Sequence, residues 1–305
     1  MNNIPIINAA ALLGAALLWG TTFVFQSTGG EVIAPFTFNF TRLLMGAIIL
    51  YPIASYFGKR SNKITSGKKL WKAGGYCGLI IFFATNLQQI GITWGTSAGK
   101  AGFLTACYIV LVPISGLFLH RSCSWNVWLG VIFAVIGLYY LCLNEQTLDF
   151  AFCDVFVILS AICFAMHIHA IDHFVTEVNA IWLSCAQFTV SGLLSGIPMI
   201  FLEMNSLGFD TWFAQYYQWQ AWEAMFFSGI CSSGIAYTLQ IVGQQNMDPT
   251  IASLLMSFES VFAVIAGWAI LGDILQFREI IGCILIFIAV ITAQLPIDKI
   301  SKLKI

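Results

Sequence analysis

Glu259 stands near the middle of the apolar run IASLLMSFESVFAVIAGWAILGD, and Arg42 stands inside PFTFNFTRLLMGAIIL. A charge at the centre of a lipid-embedded helix costs about 2.5 to 3.5 kcal/mol on insertion scales, so each group needs a partner or a purpose. For Glu259 the purposes are uptake of a proton or binding of a substrate amine. The structural alternative is a paired or protonated carboxyl group that caps a neighbouring helix or bonds a core amide. Arg42 can hold a substrate carboxylate, pair with Glu259, or snorkel to the headgroups. Lys100, in GTSAGKAGFLTACYIVLVP, opens a run that carries no further charge through Pro113. Small residues around it, among them Gly95, Ser97, Gly99 and Gly102, allow close helix packing. It reads either as a snorkelling cation on a packing seam or as a charged outer gate beside a substrate path.

His167 and His169, in CFAMHIHAIDHF, are two positions apart and therefore point to different helix faces. His169 and His173 have the four-residue spacing of a same-face metal pair, but His173 lies at the end of the run beside Asp172. Metal binding is not expected. Proton relay by His167 or His169 stays open alongside Glu259. Neutral polar groups form a further layer: Asn86, Gln88 and Gln89 cluster in FATNLQQIG, while Tyr237 and Gln240 fall at matching places in GIAYTLQIVGQQN. Buried amides are costly without partners, so this placing predicts either a shared polar cavity or interhelical glue. Asn39, Trp19, Thr22, Gln26 and Tyr108 are candidates for the same cavity or its gates, and an aromatic, amide-dotted cleft suits a small amphipathic metabolite. No HExxH, GxSxG or GxxxxGK[ST] pattern is present, so no catalytic residue, cofactor or enzymatic activity is expected.

Placing such groups requires helices in lipid. Of 305 residues 59% are hydrophobic and 9% charged, far below the roughly one quarter of an ordinary soluble domain. With 13 basic and 14 acidic residues the chain offers no basic patch for nucleic acid. Its cysteines sit mostly in apolar runs without CxxC spacing and read as small buried hydrophobes. Ten apolar runs are long enough to cross a hydrocarbon core about 30 Å thick. Their approximate limits are 8–28, 35–57, 72–92, 98–119, 125–143, 152–174, 180–202, 220–242, 249–271 and 277–295. Each should be an α-helix, because lipid offers no partners for backbone amides. The N-terminal run lacks the basic start of a signal peptide and is expected to remain as the first span.

The break GKRSNKITSGKKLWK holds Lys59, Arg60, Lys63, Lys68, Lys69 and Lys72, which predicts a cytoplasmic loop after the second span. Alternating from there puts both termini inside, with Arg121, Lys299, Lys302 and Lys304. Of the 13 basic residues only Arg42, Lys100 and Arg278 then lie elsewhere. The acidic connection bearing Glu145, Asp149 and Asp154 falls outside and divides the chain into five-span halves, 1–145 and 146–305. An odd number of spans inverts one half against the other. A shift of 152 positions pairs Gln88 with Gln240, Gly91 with Gly243 and Gly130 with Gly282. Inverted repeats are an architecture of secondary transporters, with the substrate site at the midplane between the halves.

Over nearly its whole length the chain resembles the EamA family of the drug/metabolite transporter superfamily. The resemblance rests on LLWGTTFVFQ, FNFTRLLMGAIIL, GTSAGKAGFLTACYIVLVP, GLFLHRSCSWNVWLGVIFAVIGLYYL and the final IASLLMSFESVFAVIAGWAILGDILQFREIIGCILIFIAV. The last is similar to the family's LEPVFA…LGE signature, with Ser260 in place of the usual proline and Asp273 in place of glutamate. Arg121 occupies the first-half position corresponding to Asp273, a variant associated with one branch of the family. The resemblance implies an all-α integral membrane protein with ten transmembrane helices in two inverted five-helix repeats around a central cavity. Helices one to four and six to nine would surround the cavity and helices five and ten would be peripheral. It implies export of amino acids or related metabolites, and, because Glu259 matches a Glu found widely in the family, a common structural or gating role for that residue. The expectation is a secondary transporter of the cytoplasmic (inner) membrane with a small-molecule substrate, proton-coupled through Glu259 or a histidine, and with homodimerisation left open. Uptake, uncoupled facilitation, or a non-transporting receptor or assembly role are the alternatives.

Overall fold

The computed structural model describes residues 6–58, 63–96, 98–120, 123–142, 150–272 and 276–294. The expected midpoint of the chain, the family variants Arg121 and Asp273, and the basic residues Lys59, Arg60, Lys299, Lys302 and Lys304 lie outside these. The helices are α1 Ile6–Gly30, α2 Pro35–Gly58, α3 Lys68–Thr93, α4 Ala98–Ala106, α5 Tyr108–Phe118, α6 Trp125–Cys142, α7 Phe152–Phe174 and α8 Ala180–Pro198. They continue as α9 Asn205–Leu207, α10 Phe209–Ala214, α11 Trp219–Phe227, α12 Tyr237–Gly243, α13 Pro249–Met256, α14 Phe258–Ala266 and α15 Phe277–Gln294. No strand occurs among the described residues, where Ile64 and Val178 form an isolated parallel bridge.

Among the described residues, eight helical stretches are long and apolar enough to cross a membrane: Ile6–Gly30, Pro35–Phe57, Lys68–Thr93, Lys100–Phe118, Phe152–Phe174, Ala180–Leu207, Trp219–Gly243 and Pro249–Ile270. Trp125–Leu141 is a shorter apolar helix, and α15 packs along it. That pair meets through glycines: a Cβ on Gly282 would sit 2.7 Å from the Gly137 carbonyl oxygen, and one on Gly137 would sit 2.9 Å from that of Gly282. Large apolar side chains such as Ile48, Phe83, Leu193 and Ile284 stay exposed on the outside of the bundle, as a lipid-facing surface requires.

Two expected spans are not continuous helices. The fourth breaks at Cys107 and the ninth at Ser257, each a single residue with nearly the same backbone angles, φ −58°, ψ −13° and φ −62°, ψ −14°. Bonds of the i+3 type tighten both turns, Val110 N to Cys107 O at 3.0 Å and Ser260 N to Ser257 O at 3.2 Å. Side chains bonding back to the helix contribute at both places: Ser257 Oγ donates to Leu254 O at 2.7 Å and Cys107 Sγ to Phe103 O at 3.4 Å. Such back-bonding competes with the backbone ladder and bends helices.

The seventh span runs further than expected. Beyond α8 it continues through a π-helical stretch, Met199–Met204, to Leu207, and the segment expected to connect it to the eighth span contains α10. Glu203, in the π stretch, is buried and accepts from Phe36 N at 2.7 Å, Thr37 N at 2.8 Å and Thr37 Oγ1 at 2.6 Å. A helix leaves its first amides without intrahelical partners. A carboxylate from another helix satisfies them at the start of α2.

Candidate functional site

A cavity lies where the broken helices meet α1, α2, α3, α7 and α12. Trp19, Thr22, Phe23 and Gln26 line it from α1, Arg42 from α2, Gln88 from α3, and Thr105 and Tyr108 from either side of the Cys107 break. Phe164 and Ile168 come from α7, Ser232 from the π-helical Ser228–Ala236, Tyr237 and Gln240 from α12, and Met256 and Glu259 from either side of the Ser257 break. Neither α6 nor α15 supplies a lining residue among those described. The cavity measures about 50 Å³, room for a few water molecules.

Gly20 brings α14 close enough to seat its carboxylate: a Cβ there would sit 2.7 Å from the Ala263 amide nitrogen and from the Phe262 Cβ. Glu259 Oε1 accepts a hydrogen bond from Tyr108 Oη at 3.0 Å, linking the two broken helices. Arg42 is 2% exposed and donates from Nε to Asn39 Oδ1 at 2.7 Å, with its Cζ 5.2 Å above the Phe38 ring. Asn39 in turn donates to Asn86 Oδ1 and Thr85 O, each at 3.1 Å, and Asn86 donates to Ser195 Oγ at 2.8 Å. This amide chain ties α2, α3 and α8 together and fixes the guanidinium. A second chain ties α1 to α3 and α4: Gln26 Nε2 donates to Gln88 Oε1 at 3.4 Å and Gln89 Oε1 at 3.3 Å, and Gln88 Nε2 to Thr105 Oγ1 at 2.9 Å.

The chemistry left over is specific. Arg42 and Glu259 share the cavity without an ion pair between them, and the Nη groups of the one and Oε2 of the other have no hydrogen-bond partner among the described residues. Trp19 Nε1 and Gln240 Oε1 are likewise buried without a partner. The walls thus offer a guanidinium fork, a carboxyl oxygen and neutral donors and acceptors, Trp19 Nε1 and Gln240 Oε1 among them, set among aromatic faces. Trp19 meets Tyr237 edge-on at 4.8 Å, and Phe188 supports Tyr237 from behind at 5.2 Å. Among the described residues no group of three His, Cys, Asp or Glu side chains could hold a metal ion.

A model of the EamA-like transporter family matches residues 6–143 and again residues 151–293. The chain belongs to the EamA-like transporter family. Over 287 residues it is 25% identical to an uncharacterized transporter of Archaeoglobus fulgidus, a match spanning 92% of this chain and 84% of the relative. Over 283 residues it is 23% identical to the uncharacterized transporter YoaV of Bacillus subtilis, spanning 90% of this chain and 92% of the relative. A solved crystal structure shares the fold with a TM-score of 0.76 at 17% identity, covering 96% of this chain and 98% of the other. Together with the apolar helices, family membership makes this EamA-like chain a multi-pass membrane protein of a transporter family.

Within the EamA-like bundle, Trp19, Thr22, Gln26, Arg42, Tyr108, Tyr237, Gln240 and Glu259 line one cavity. Asn39 and Gln89 stand one hydrogen bond behind it, and Asn86 stands one bond further back, on Asn39. The snorkelling readings of Arg42 and Lys100 do not hold, because both are buried. Lys100 instead pairs with Asp154 at the start of α7, Nζ to Oδ2 at 2.5 Å, with side-chain exposures of 11% and 1%. His167 bonds Gln187 Oε1 at 3.0 Å and His169 bonds Ser115 Oγ at 2.9 Å, and neither lines the cavity. Sequence reasoning missed Phe23, Thr105, Phe164, Ile168, Ser232 and Met256, apolar or small residues in apolar runs that carry no distinguishing signal. It also missed Glu203, an acid at the end of such a run.

Proposed function

We propose that the chain is a secondary transporter that alternates access around this cavity and exports a small zwitterionic metabolite of the amino-acid type. The observation that carries the proposal is a buried guanidinium and a buried carboxyl group, Arg42 and Glu259, which share one cavity without binding each other. A guanidinium fork matches a carboxylate in two-point contact. The glutamate oxygen suits an ammonium, and Trp19 and Tyr237 offer apolar faces to the rest of the solute. A zwitterion would neutralise both sites at once and keep the net charge of the loaded cavity low, which matters where charge transfer into lipid is costly. The cavity of about 50 Å³ must widen to admit such a solute, and the single-residue breaks at Cys107 and Ser257 are places where the flanking helices can bend.

In this reading residues 1–145 and 146–305 are inverted halves of five spans each, in the cytoplasmic (inner) membrane with both termini inside. Export is the direction that the family resemblance implies. Proton coupling through Glu259, His167 or His169 belongs to the same proposal, and uptake or uncoupled facilitation are its rivals. Proteoliposomes containing the purified protein test it. Zwitterionic amino acids should exchange across the membrane, while the matching amines without a carboxylate and acids without an amine should not. Arg42→Gln and Glu259→Gln should each lower exchange by about tenfold or more, the effect of losing one charged hydrogen bond, and an imposed pH gradient should change the wild-type rate. Unchanged exchange in Arg42→Gln would remove the zwitterion reading, and rates indifferent to the gradient would leave a facilitator.

A further inference from the structure

A second, larger hollow lies at the end of the bundle that carries the basic connection between α2 and α3. It measures about 550 Å³ and is bounded by the end of α2, the start of α3 and the first turns of α8. Tyr51, Trp71 and Trp182 form its walls, with Tyr51 edge-on to Trp182 at 5.8 Å, and Ser55, Thr65, Ser66 and Thr189 also line it. No acidic residue lines it.

The hollow is built rather than incidental. Ile64 N donates to Glu177 O at 3.0 Å, Asn179 N to Ile64 O at 2.9 Å and Lys63 Nζ to Val175 O at 2.8 Å, fastening the basic connection onto the turn between α7 and α8. Lys68 and Lys72 do not line it but are exposed and directly follow the lining residues Gly67 and Trp71 at the start of α3, while Lys69 pairs with Glu177 at 3.4 Å. The start of α3 at Gly67 receives no side-chain hydrogen bond, so its first amides add to the positive character of the rim. On its open side Tyr51 and Trp71 are 59% and 55% exposed, and Ile48 of α2 and Leu79 of α3 are exposed one or two turns further along the same helices. That is the apolar surface the bundle presents to lipid. Aromatic side chains of this kind favour the headgroup level, and basic pockets between membrane helices bind anionic headgroups.

We infer that this cleft binds an anionic phospholipid, the phosphate among the hydroxyls and lysines and the acyl chains along the exposed faces of α2 and α3. A soluble anion would have no use for the apolar opening, and a zwitterionic lipid would gain nothing from the lysines. The site is independent of what the central cavity carries. Native mass spectrometry of the protein taken from bilayers of equal phosphatidylglycerol and phosphatidylcholine tests it. Wild type should retain phosphatidylglycerol in preference to phosphatidylcholine. Lys68→Gln/Lys72→Gln should reduce that preference up to about thirtyfold, two surface lysines' worth of attraction. Ser55→Trp, which fills the cleft, should abolish it, and Ser66→Trp in the exposed connection does the same should the first variant fail to fold. Equal retention of the two lipids by wild type would overturn the inference. So would a preference that falls with the lysines but survives both tryptophan substitutions, since that describes diffuse attraction to the surface. Thermal stabilisation by inorganic phosphate equal to that by phosphatidylglycerol would assign the cleft to a soluble anion instead.

Discussion

Tyr108 donates a hydrogen bond to Glu259 at 3.0 Å, and each residue stands within two positions of the single-residue break in its own helix. The bond therefore joins the two helices at the points where both can bend. A hydrogen bond to a charged group is worth about 1.5 to 3 kcal/mol, which is tenfold or more in rate if the bond is made in only one of two conformations. In the membrane the loss in stability is smaller, about 0.6 kcal/mol on average, because the unfolded reference also finds partners. Tyr108→Phe should thus fold normally, unfold within about 2 °C of wild type, and exchange substrate about tenfold more slowly. Wild-type exchange by this variant would show that the bond does not change during the transport cycle.

Lys100 and Asp154 make a different kind of link, between the start of α4 and the start of α7. Asp154 also accepts from Ala151 N at 2.8 Å and Thr96 Oγ1 at 2.9 Å, so the carboxylate is held on three sides. Breaking a buried pair from one end leaves an uncompensated charge and costs about 3 to 5 kcal/mol, whereas replacing both ends with apolar groups is often close to neutral. Lys100→Met should therefore destabilise strongly, and Lys100→Met/Asp154→Asn, which removes both charges and keeps an acceptor for Ala151 N and Thr96 Oγ1, should recover most of the loss. Thermal unfolding of the two single variants and the double variant in detergent gives the coupling directly. Additive losses would mean that the two charges do not depend on each other.

Much of the bundle was legible from hydropathy, because apolar length alone decides where a chain can cross lipid. The expected runs 152–174 and 35–57 coincide with Phe152–Phe174 and Pro35–Phe57. The breaks at Cys107 and Ser257 were not legible, since one turn residue leaves the apolar pattern intact and back-bonding by a serine or cysteine has no sequence signature of its own. Buried ionisable groups were recognisable from cost, but their partners were not. Lys100 was visible as a cation at the mouth of an apolar run, yet its acid lies 54 positions away, across α4, α5 and α6. The same limit applies to Glu203, whose acceptors' donors sit at Phe36 and Thr37 on another helix. The polar cluster Asn86, Gln88 and Gln89 announced a hydrogen-bonded region, while its division into a cavity-lining Gln88 and supporting Asn86 and Gln89 required three dimensions.

Two glycines should respond oppositely to the same small addition. At Gly20 a Cβ would meet the Ala263 nitrogen and the Phe262 Cβ at 2.7 Å, so α1 and α14 cannot stay at their present separation. At Gly75, within α3, a Cβ would meet nothing within 4 Å. Gly20→Ala should lose about 1 to 3 kcal/mol through overpacking and disturb the seat of Glu259 with it. Gly75→Ala should be neutral or gain up to about 1 kcal/mol, because glycine loses more freedom than alanine on entering a helix. Thermal midpoints of the two variants compare these directly, and a tolerated Gly20→Ala would show that the two helices can part at small cost.

Glu203 should prove essential to the start of α2 rather than to any solute. Its two oxygens serve the Phe36 and Thr37 amides and the Thr37 hydroxyl, and Trp212 Nε1 donates to that same hydroxyl at 2.8 Å. The carboxylate therefore holds α2, the π-helical end of the seventh span and α10 in one cluster. Glu203→Ala removes the acceptor and leaves two amides and a hydroxyl without it, at about 1 to 3 kcal/mol for buried donors left unsatisfied. Glu203→Gln keeps one acceptor oxygen and should cost less. Hydrogen exchange read by mass spectrometry separates this local role from a global one: peptides covering residues 35–41 should exchange faster in Glu203→Ala, with α6 and α15 unchanged. Because Arg42 lies on the second turn of the same helix, fraying there should also weaken its hold on Asn39, and substrate exchange should fall with the protection of the α2 amides. Loss of activity with full protection of residues 35–41 would instead assign Glu203 a direct part in transport.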